Sequence, residues 1–292
     1  LVGPVLTIGS ARLEERTTWQ AKATPTHTLA GHTPALRDPL PDVYYILIDA
    51  YAGSDVLRER FGYDNSAFEA ALASRGFVIA SQSRSNYAHT ALSAAASLNM
   101  DYLHDLPVDL DRGHYPENLR GAILHSLVRR DLEALGYTIV AFPSGYAPTG
   151  WIDADVYLAP DQGALDRLGQ GGALNSFEAL LFTSSAGRLL IDLDTRADAP
   201  LTTLLTENLA VREKLYQRQA ILSAFDHLAH AAEIPGPKFV FAHLILPHRP
   251  YFFTADGGEA MPIGLITYED LAGSLTWQEE VPRYLDQLTY AN

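Results

Sequence analysis

Asp49, Thr90 and His248 carry between them a hard ligand oxygen, a nucleophilic hydroxyl and a proton carrier. Asp49 is the first residue past the apolar run Val43-Tyr44-Tyr45-Ile46-Leu47-Ile48. A carboxylate there is held stiffly at the end of a strand, and hard divalent ions and Zn²⁺ both accept such an oxygen. Asp is equally favoured as a helix N-cap, so the position alone admits both roles. Thr90 falls where a Ser- and Asn-rich loop turns into Ala91-Leu92-Ser93-Ala94-Ala95-Ala96-Ser97-Leu98. The unpaired N–H groups and dipole of a helix starting there favour an anion. A hydroxyl beside them can be ionised by a metal and attack phosphorus or sulfur. Thr90 or Ser85 can also serve merely as the N-cap of that helix. His248 lies in Leu246-Pro247-His248-Arg249-Pro250-Tyr251, where two prolines stiffen the loop after another apolar run. An imidazole there can bind an oxygen of a transferring group or protonate a leaving group.

The other histidines offer less. His243 falls inside the apolar run and reads as a hydrogen-bonded core residue. His27, His32, His114, His125, His227 and His230 have no companion at metal-binding spacing, and His89 and His104 are near the site only in sequence.

Elements able to hold these groups follow from the apolar pattern. Residues 43–48 read as a parallel strand covered on both faces, because they are apolar throughout. Residues 65–75 read as a helix ended by Gly76, and 77–80 as the next strand. A small-residue helix over about 90–99 follows, then a longer amphipathic helix over 119–135 stopped by Gly136, then a strand over 137–142. Residues 161–233 look mainly helical, with 201–232 the longest candidate. Pro235-Gly236-Pro237 breaks that run before a strand over 239–246, and 276–290 closes the chain as a helix. Strands alternating with helices predict an α/β fold with a mostly parallel sheet. Ligands then bind beyond the carboxyl ends of the strands, near Asp49, residues 81–90, 143–150 and 247–251.

Composition sets outer limits. A chain of 292 residues holds one large α/β domain or two small ones. Its 21 Lys+Arg against 35 Asp+Glu leave a formal charge of −14, so no basic stripe exists for nucleic acid. Cysteine is absent, which removes disulfides, thiolate metal sites and cysteine nucleophiles. Residues 9–40 are polar and rich in Thr, Pro and Gly, as in a tether. Residues 1–8 are apolar but short of the ~20 needed to span a bilayer. They read as the exit end of a transmembrane helix or, equally, as a short apolar N-terminal strand or tag remnant. Thr289-Tyr290-Ala291-Asn292 brings no Gly, Pro or basic residue to close the last helical pattern, and both ends are expected to be truncations.

Five stretches, in order, resemble the sulfatase-like and phosphoglycerol- or phosphoethanolamine-transferase branch of the alkaline phosphatase superfamily. They are Tyr44-Tyr45-Ile46-Leu47-Ile48-Asp49-Ala50-Tyr51, Gly76-Phe77-Val78-Ile79-Ala80, Ser85-Asn86-Tyr87-Ala88-His89-Thr90-Ala91-Leu92-Ser93, Phe142-Pro143-Ser144-Gly145-Tyr146, and Phe241-Ala242-His243-Leu244-Ile245-Leu246-Pro247-His248-Arg249-Pro250-Tyr251. The resemblance runs from about Asp42 to the end. It implies a three-layer α/β/α sandwich around a mostly parallel sheet, alkaline-phosphatase-like and incomplete at the C-terminus. On that basis residues 1–40 are a tether, 41–292 a partial catalytic domain, and 161–233 a mainly helical insertion. It implies Asp49 as the first ligand of a divalent metal ion (Zn, Mn or Mg), Thr90 as the metal-bound nucleophile, and His248 and Asn86 as contacts to a phosphate- or sulfate-ester substrate.

The family completes its site with an Asp-His pair in an Asp-His-Gly context, and this sequence has no Asp-His-Gly. Asp226-His227, its one Asp-His pair, sits in a helical pattern ahead of the strand that precedes His248. The missing pair is expected downstream of Asn292, and the chain as it stands is expected to bind metal poorly and turn over little. Type I sulfatases, with a formylglycine made in a Cys/Ser-x-Pro-x-Arg motif, match poorly, because no such Pro and Arg surround Thr90. Relatives often carry N-terminal membrane helices, so the resemblance implies a membrane-anchored domain outside the cytoplasmic membrane. A non-catalytic domain of this fold that recognises an envelope glycan or lipid headgroup is the alternative. A Rossmann-like nucleotide binder is weaker, since no Gly-x-Gly-x-x-Gly follows the first strand.

Overall fold

The computed structural model describes residues 39–106, 115–160, 201–260 and 275–292. Along them run β1 (Val43–Ile48), α1 (Ser54–Phe61), α2 (Ser66–Ser74), α3 (Thr90–Asn99), α4 (Tyr115–Leu124), α5 (Leu127–Ala134), β2 (Thr138–Ala141), β3 (Val156–Tyr157), α6 (Leu201–His230), β4 (Lys238–Leu244) and α7 (Trp277–Ala291). The four strands form one parallel sheet in the order β1-β4-β2-β3, so the fold is α/β. The expected tether up to residue 38, and residues 161–200 of the expected helical insertion, lie outside the described residues. No helix among the described residues is long and apolar enough to cross a membrane.

The chain divides into two compact units. The first comprises Leu1–Asp49, Val78–Leu158 and Ala224–Leu244, and holds the sheet. Side chains alternate along each strand, so Val43, Tyr45 and Leu47 share a face with Phe239, Phe241 and His243 of β4 and with Ile139 and Ala141 of β2. Helices α3 and α4 bury their apolar sides in the same cluster as this face. Ala91, Ala94, Ala95 and Ala96 are all buried, and these short side chains bring the α3 backbone close to the sheet. Trp151 stacks on Phe241 with ring centroids 4.3 Å apart. Each large side chain buried here stabilises by roughly 1.5–3 kcal/mol.

Three expectations are corrected here. Among the described residues β1 is not covered on both faces: Tyr44 and Ile46 are 39% and 47% exposed, and the strand pairs with β4 alone. Residues 77–80 form no strand, and Val78 is 94% exposed. The end of α2 takes up Phe77 instead: Gly76 turns at φ 90 and the Phe77 N–H closes on the Leu72 carbonyl at 3.2 Å. The single helix expected over 119–135 is two, because Ser126 adopts the extended N-cap conformation and the Leu127 N–H bonds Asn99 Oδ1 at 3.0 Å. Neither α1 nor the two-residue β3 was anticipated.

The second unit comprises Ala50–Phe77, Ala159–Ser223 and Ile245–Asn292. Leu57 of α1, Tyr251, and Tyr284 and Leu288 of α7 form its described core. Thr276 and Glu279 close a capping box at the start of α7. Buried Gln287 clamps the loop after β4: its Oε1 accepts from the Phe252 N–H at 2.7 Å and its Nε2 donates to the His248 carbonyl at 2.9 Å. The Leu246–Pro247 and Arg249–Pro250 bonds in that loop are both cis.

Candidate functional site at the end of the first strand

The Asp49 N–H bonds the Leu244 carbonyl at 2.9 Å, carrying the β1–β4 ladder one residue beyond β1. Ala50 then turns the chain at φ 63, a left-handed conformation that costs a residue with a Cβ roughly 1–2 kcal/mol. Such local strain is characteristic of functional positions. Alternation places Asp49 on the face of Val43, Tyr45 and Leu47, the face α3 covers. Its side chain is 19% exposed. It caps no helix, because α1 starts at Ser54 with Gly53 as its N-cap.

Thr90 is the first residue of α3, and the N-cap is His89. Ser85 is not the cap either; its hydroxyl donates to the Tyr87 carbonyl and meets Ser93 Oγ, both at 2.7 Å. The Thr90 hydroxyl instead reaches across the sheet edge and donates to Asp49 Oδ1 at 3.2 Å. That is long for an O–H···O bond, and so weak. The capping roles open to both residues on sequence alone are therefore unfilled, and the two side chains meet each other. The first N–H groups of α3, which have no intrahelical acceptor, stand beside the pair.

His243 is the site residue that sequence reasoning placed only in the core. Its ring is buried, and Nδ1 lies 2.7 Å from Thr149 Oγ1. Its other nitrogen, Nε2, lies 3.6 Å from Asp49 Oδ2. Thr149 sits in the loop after β2, where its hydroxyl also meets Ser144 Oγ at 3.0 Å and donates to the Tyr146 carbonyl at 3.2 Å. The Tyr146 ring stands edge-on to the imidazole at 6.0 Å. No sequence signal marks His243; it is the register of β4 on β1 that sets it opposite Leu47, two residues before Asp49 on the same face.

Asn86 is exposed in the loop before α3. His248 belongs to the second unit, is exposed, and pairs Nδ1 with the Arg249 carbonyl at 2.6 Å. There it lines a cleft of about 440 Å³ with Phe61, Arg249, Trp277, Glu280 and Tyr284. Glu280 Oε1 accepts from the Tyr251 hydroxyl at 2.8 Å and pairs with Arg249. Burial, with the Glu280 bond and charge behind it, raises the Tyr251 phenol well above its ordinary range, so it stays protonated. Asp226 and His227 lie within α6. Among the described residues no group of three or more His, Asp and Glu side chains is placed to hold a metal ion. Compared with family models, curated proteins and solved structures, the chain matches none.

Proposed function

We propose that this chain supplies the nucleophile-bearing part of a phosphoryl (or sulfuryl) ester hydrolase or transferase, with an alkaline-phosphatase-like three-layer sandwich as its full architecture. The observation that carries the reading is the Thr90–Asp49 hydrogen bond, made across 41 residues by two side chains that have no capping role. A divalent ion fits this pair. Oxygen ligands sit about 2.0–2.2 Å from such an ion, and oxygens 3.2 Å apart can occupy neighbouring positions around it. Asp49 and Thr90 would hold it, and when bound it lowers the pKa of a hydroxyl and offsets charge on the ester oxygens.

The chain's own residues account for the rest of the step. Asp49 Oδ1 accepts the Thr90 hydroxyl hydrogen, which leaves the Oγ1 lone pairs to meet an electrophile. Oγ1 attacks phosphorus in line as its hydrogen leaves by way of Asp49 Oδ1; the Oγ1–P bond forms as the bond to the leaving oxygen breaks, and that oxygen takes up a proton from solvent. The N–H groups at the start of α3 favour the equatorial oxygens, an electrostatic contribution that is large in such reactions. Water or an acceptor alcohol then releases the group from Thr90. An envelope lipid or glycan headgroup is the substrate class the resemblance points to.

The test is Thr90→Ala in the full-length protein, assayed on an aryl phosphodiester and an aryl sulfate. Turnover should vanish while the circular dichroism spectrum and Tm stay within error of the parent. A near-parental rate in that variant would sink the assignment. The second reading, a binding domain for a glycan or headgroup, draws support from the aromatic cleft lined by Phe61, Trp277 and Tyr284. It expects Thr90→Ala to be silent in every assay.

A further inference from the structure

His243 carries a buried nitrogen without a bond. The ring is 1% exposed, and Nε2 has no hydrogen-bond partner among the described residues. Thr149 Oγ1 stands 2.7 Å from Nδ1 and 3.2 Å from the Tyr146 carbonyl. With the Thr149 hydrogen on that carbonyl, Nδ1–H donates to Thr149 and Nε2 turns its lone pair to Asp49 Oδ2 at 3.6 Å, the tautomer a metal ligand needs. Two acceptors facing each other in a largely buried place repel, and an unsatisfied buried nitrogen is costly.

The separation itself is informative. A direct N–H···O bond would close to 2.7–3.2 Å. Nitrogen and oxygen donors on one tetrahedral Zn²⁺, each about 2.0–2.2 Å from it, stand roughly 3.3–3.6 Å apart. The Nε2–Oδ2 distance of 3.6 Å is of the second kind. A metal-ligating histidine also needs its other ring nitrogen bonded to a fixed partner, which orients the ring and sets the tautomer. Thr149 does this, and it is itself held by Ser144 at 3.0 Å. We infer that His243 is a third donor, through Nε2, to the cation that Asp49 and Thr90 hold, with Thr149 as the residue that positions it. The inference rests on the metal reading proposed above and adds a nitrogen ligand to its two oxygens. The three donors come from the end of β1, the start of α3 and the interior of β4, which is why no ligand spacing shows in the sequence.

Calorimetric titration of the metal-free full-length protein with Zn²⁺ tests it. His243→Asn keeps a donor where Nδ1 stood but has nothing at the Nε2 position; His243→Gln places an oxygen near that position. Asp49→Ala and His243→Asn should each weaken Zn²⁺ binding at least tenfold, with His243→Gln between them and the parent. Zn²⁺ should also shift the Nε2 resonance of His243 in ¹⁵N-labelled parent protein, a readout that needs no variant to fold. If His243→Asn binds like the parent while Asp49→Ala does not, or if the Nε2 resonance stays unmoved in Zn²⁺-loaded protein, His243 is no ligand and the Asp49–Thr90 reading survives. If Asp49→Ala binds Zn²⁺ as the parent does, or the parent binds none, the metal reading fails and takes the inference with it.

Discussion

Replacing Asn99 with leucine asks whether the helix that presents Thr90 is held by polar bonds or by its alanine face alone. Asn99 is the buried last residue of α3. Its Nδ2 donates to the Ala95 carbonyl at 2.8 Å and the Ala122 carbonyl at 3.0 Å, and its Oδ1 accepts from the Leu127 N–H at 3.0 Å. One side chain thus ties α3 to α4 and to the start of α5. Leucine has nearly the same shape but can make none of these bonds. The Leu127 N–H, an orphan donor at a helix start, and the Ala122 carbonyl in the last turn of α4 then go unpaired, at about 1–3 kcal/mol each. The added apolar burial returns about 1 kcal/mol. The net loss is therefore about 1–5 kcal/mol, read as a lower urea midpoint at unchanged m-value or as a Tm drop of roughly 2–20 °C. Asn99→Asp, which keeps the acceptor for Leu127 but buries a charge, should also lose stability. An Asn99→Leu protein within about 1 kcal/mol of the parent would refute the reasoning and leave the alanine contacts as the sole anchor. Thr90 lies nine residues up the helix, roughly 14 Å away at 1.5 Å per residue, so the folded fraction should keep its Zn²⁺ affinity.

Two further outcomes follow from the same structure. Burial alone would raise the Asp153 carboxyl, but the hydrogen bond and charge of Arg129 hold it below its ordinary value of 3.8. A depressed folded pKa means stability that is complete above the ordinary value and is lost as pH falls through the lower folded one. Asp153 is 42% exposed, so solvent screens the pair and its worth is no more than about 1 kcal/mol. Asp153→Asn should accordingly flatten the fall of Tm below about pH 4, and parallel Tm–pH curves for variant and parent would overturn this. Gly257→Ala should cost about 2–4 kcal/mol in urea denaturation, from a left-handed backbone and overpacking together. Its φ is 85, and an added Cβ would stand 2.6 Å from Tyr290 Cε2, on a ring stacked against Phe253 at 4.6 Å. Gly236→Ala, at φ 79 with open space around it, should cost only about the backbone share. Equal losses at the two positions would show that the Tyr290 contact yields freely.

What could be read in the sequence was what is decided locally. β1 was legible because an unbroken apolar run between polar segments has few other meanings, and the bounds of α3 because its small-residue run is set off by a polar loop. Residues 77–80 were misread because an apolar string becomes a strand only where a neighbour offers hydrogen bonds, and the turn at Gly76 draws Phe77 back onto α2 instead. The break at Ser126 was hidden because the apolar periodicity runs straight through it. The bond that ends the pattern comes from Asn99, on another helix. His243 shows the limit most clearly: its burial was visible in its own strand, but its second nitrogen acquires meaning only from a strand far away in the chain.

That dependence can be stated as a condition on assembly. Asp49 and His243 face each other because Leu47 is in register with His243 and Ile48 with Leu244. A slip of one residue between β1 and β4 would turn Asp49 to the opposite face, away from both His243 and α3. What forbids the slip is the alternation along β1: Val43 and Tyr45 pack into the core on the face of Phe239 and Phe241, and Tyr45 stacks on Phe241 with ring centroids 6.0 Å apart. In the other phase Tyr44 and Ile46 would face that core and the stack would be lost. The apolar core of the first unit therefore sets where the polar atoms of the site meet. Core substitutions that loosen the register, such as Phe241→Ala, should weaken Zn²⁺ binding beyond what the loss of folded protein explains. Parental affinity in the folded fraction of that variant would show that the site is held by its own bonds and not by the core beneath it.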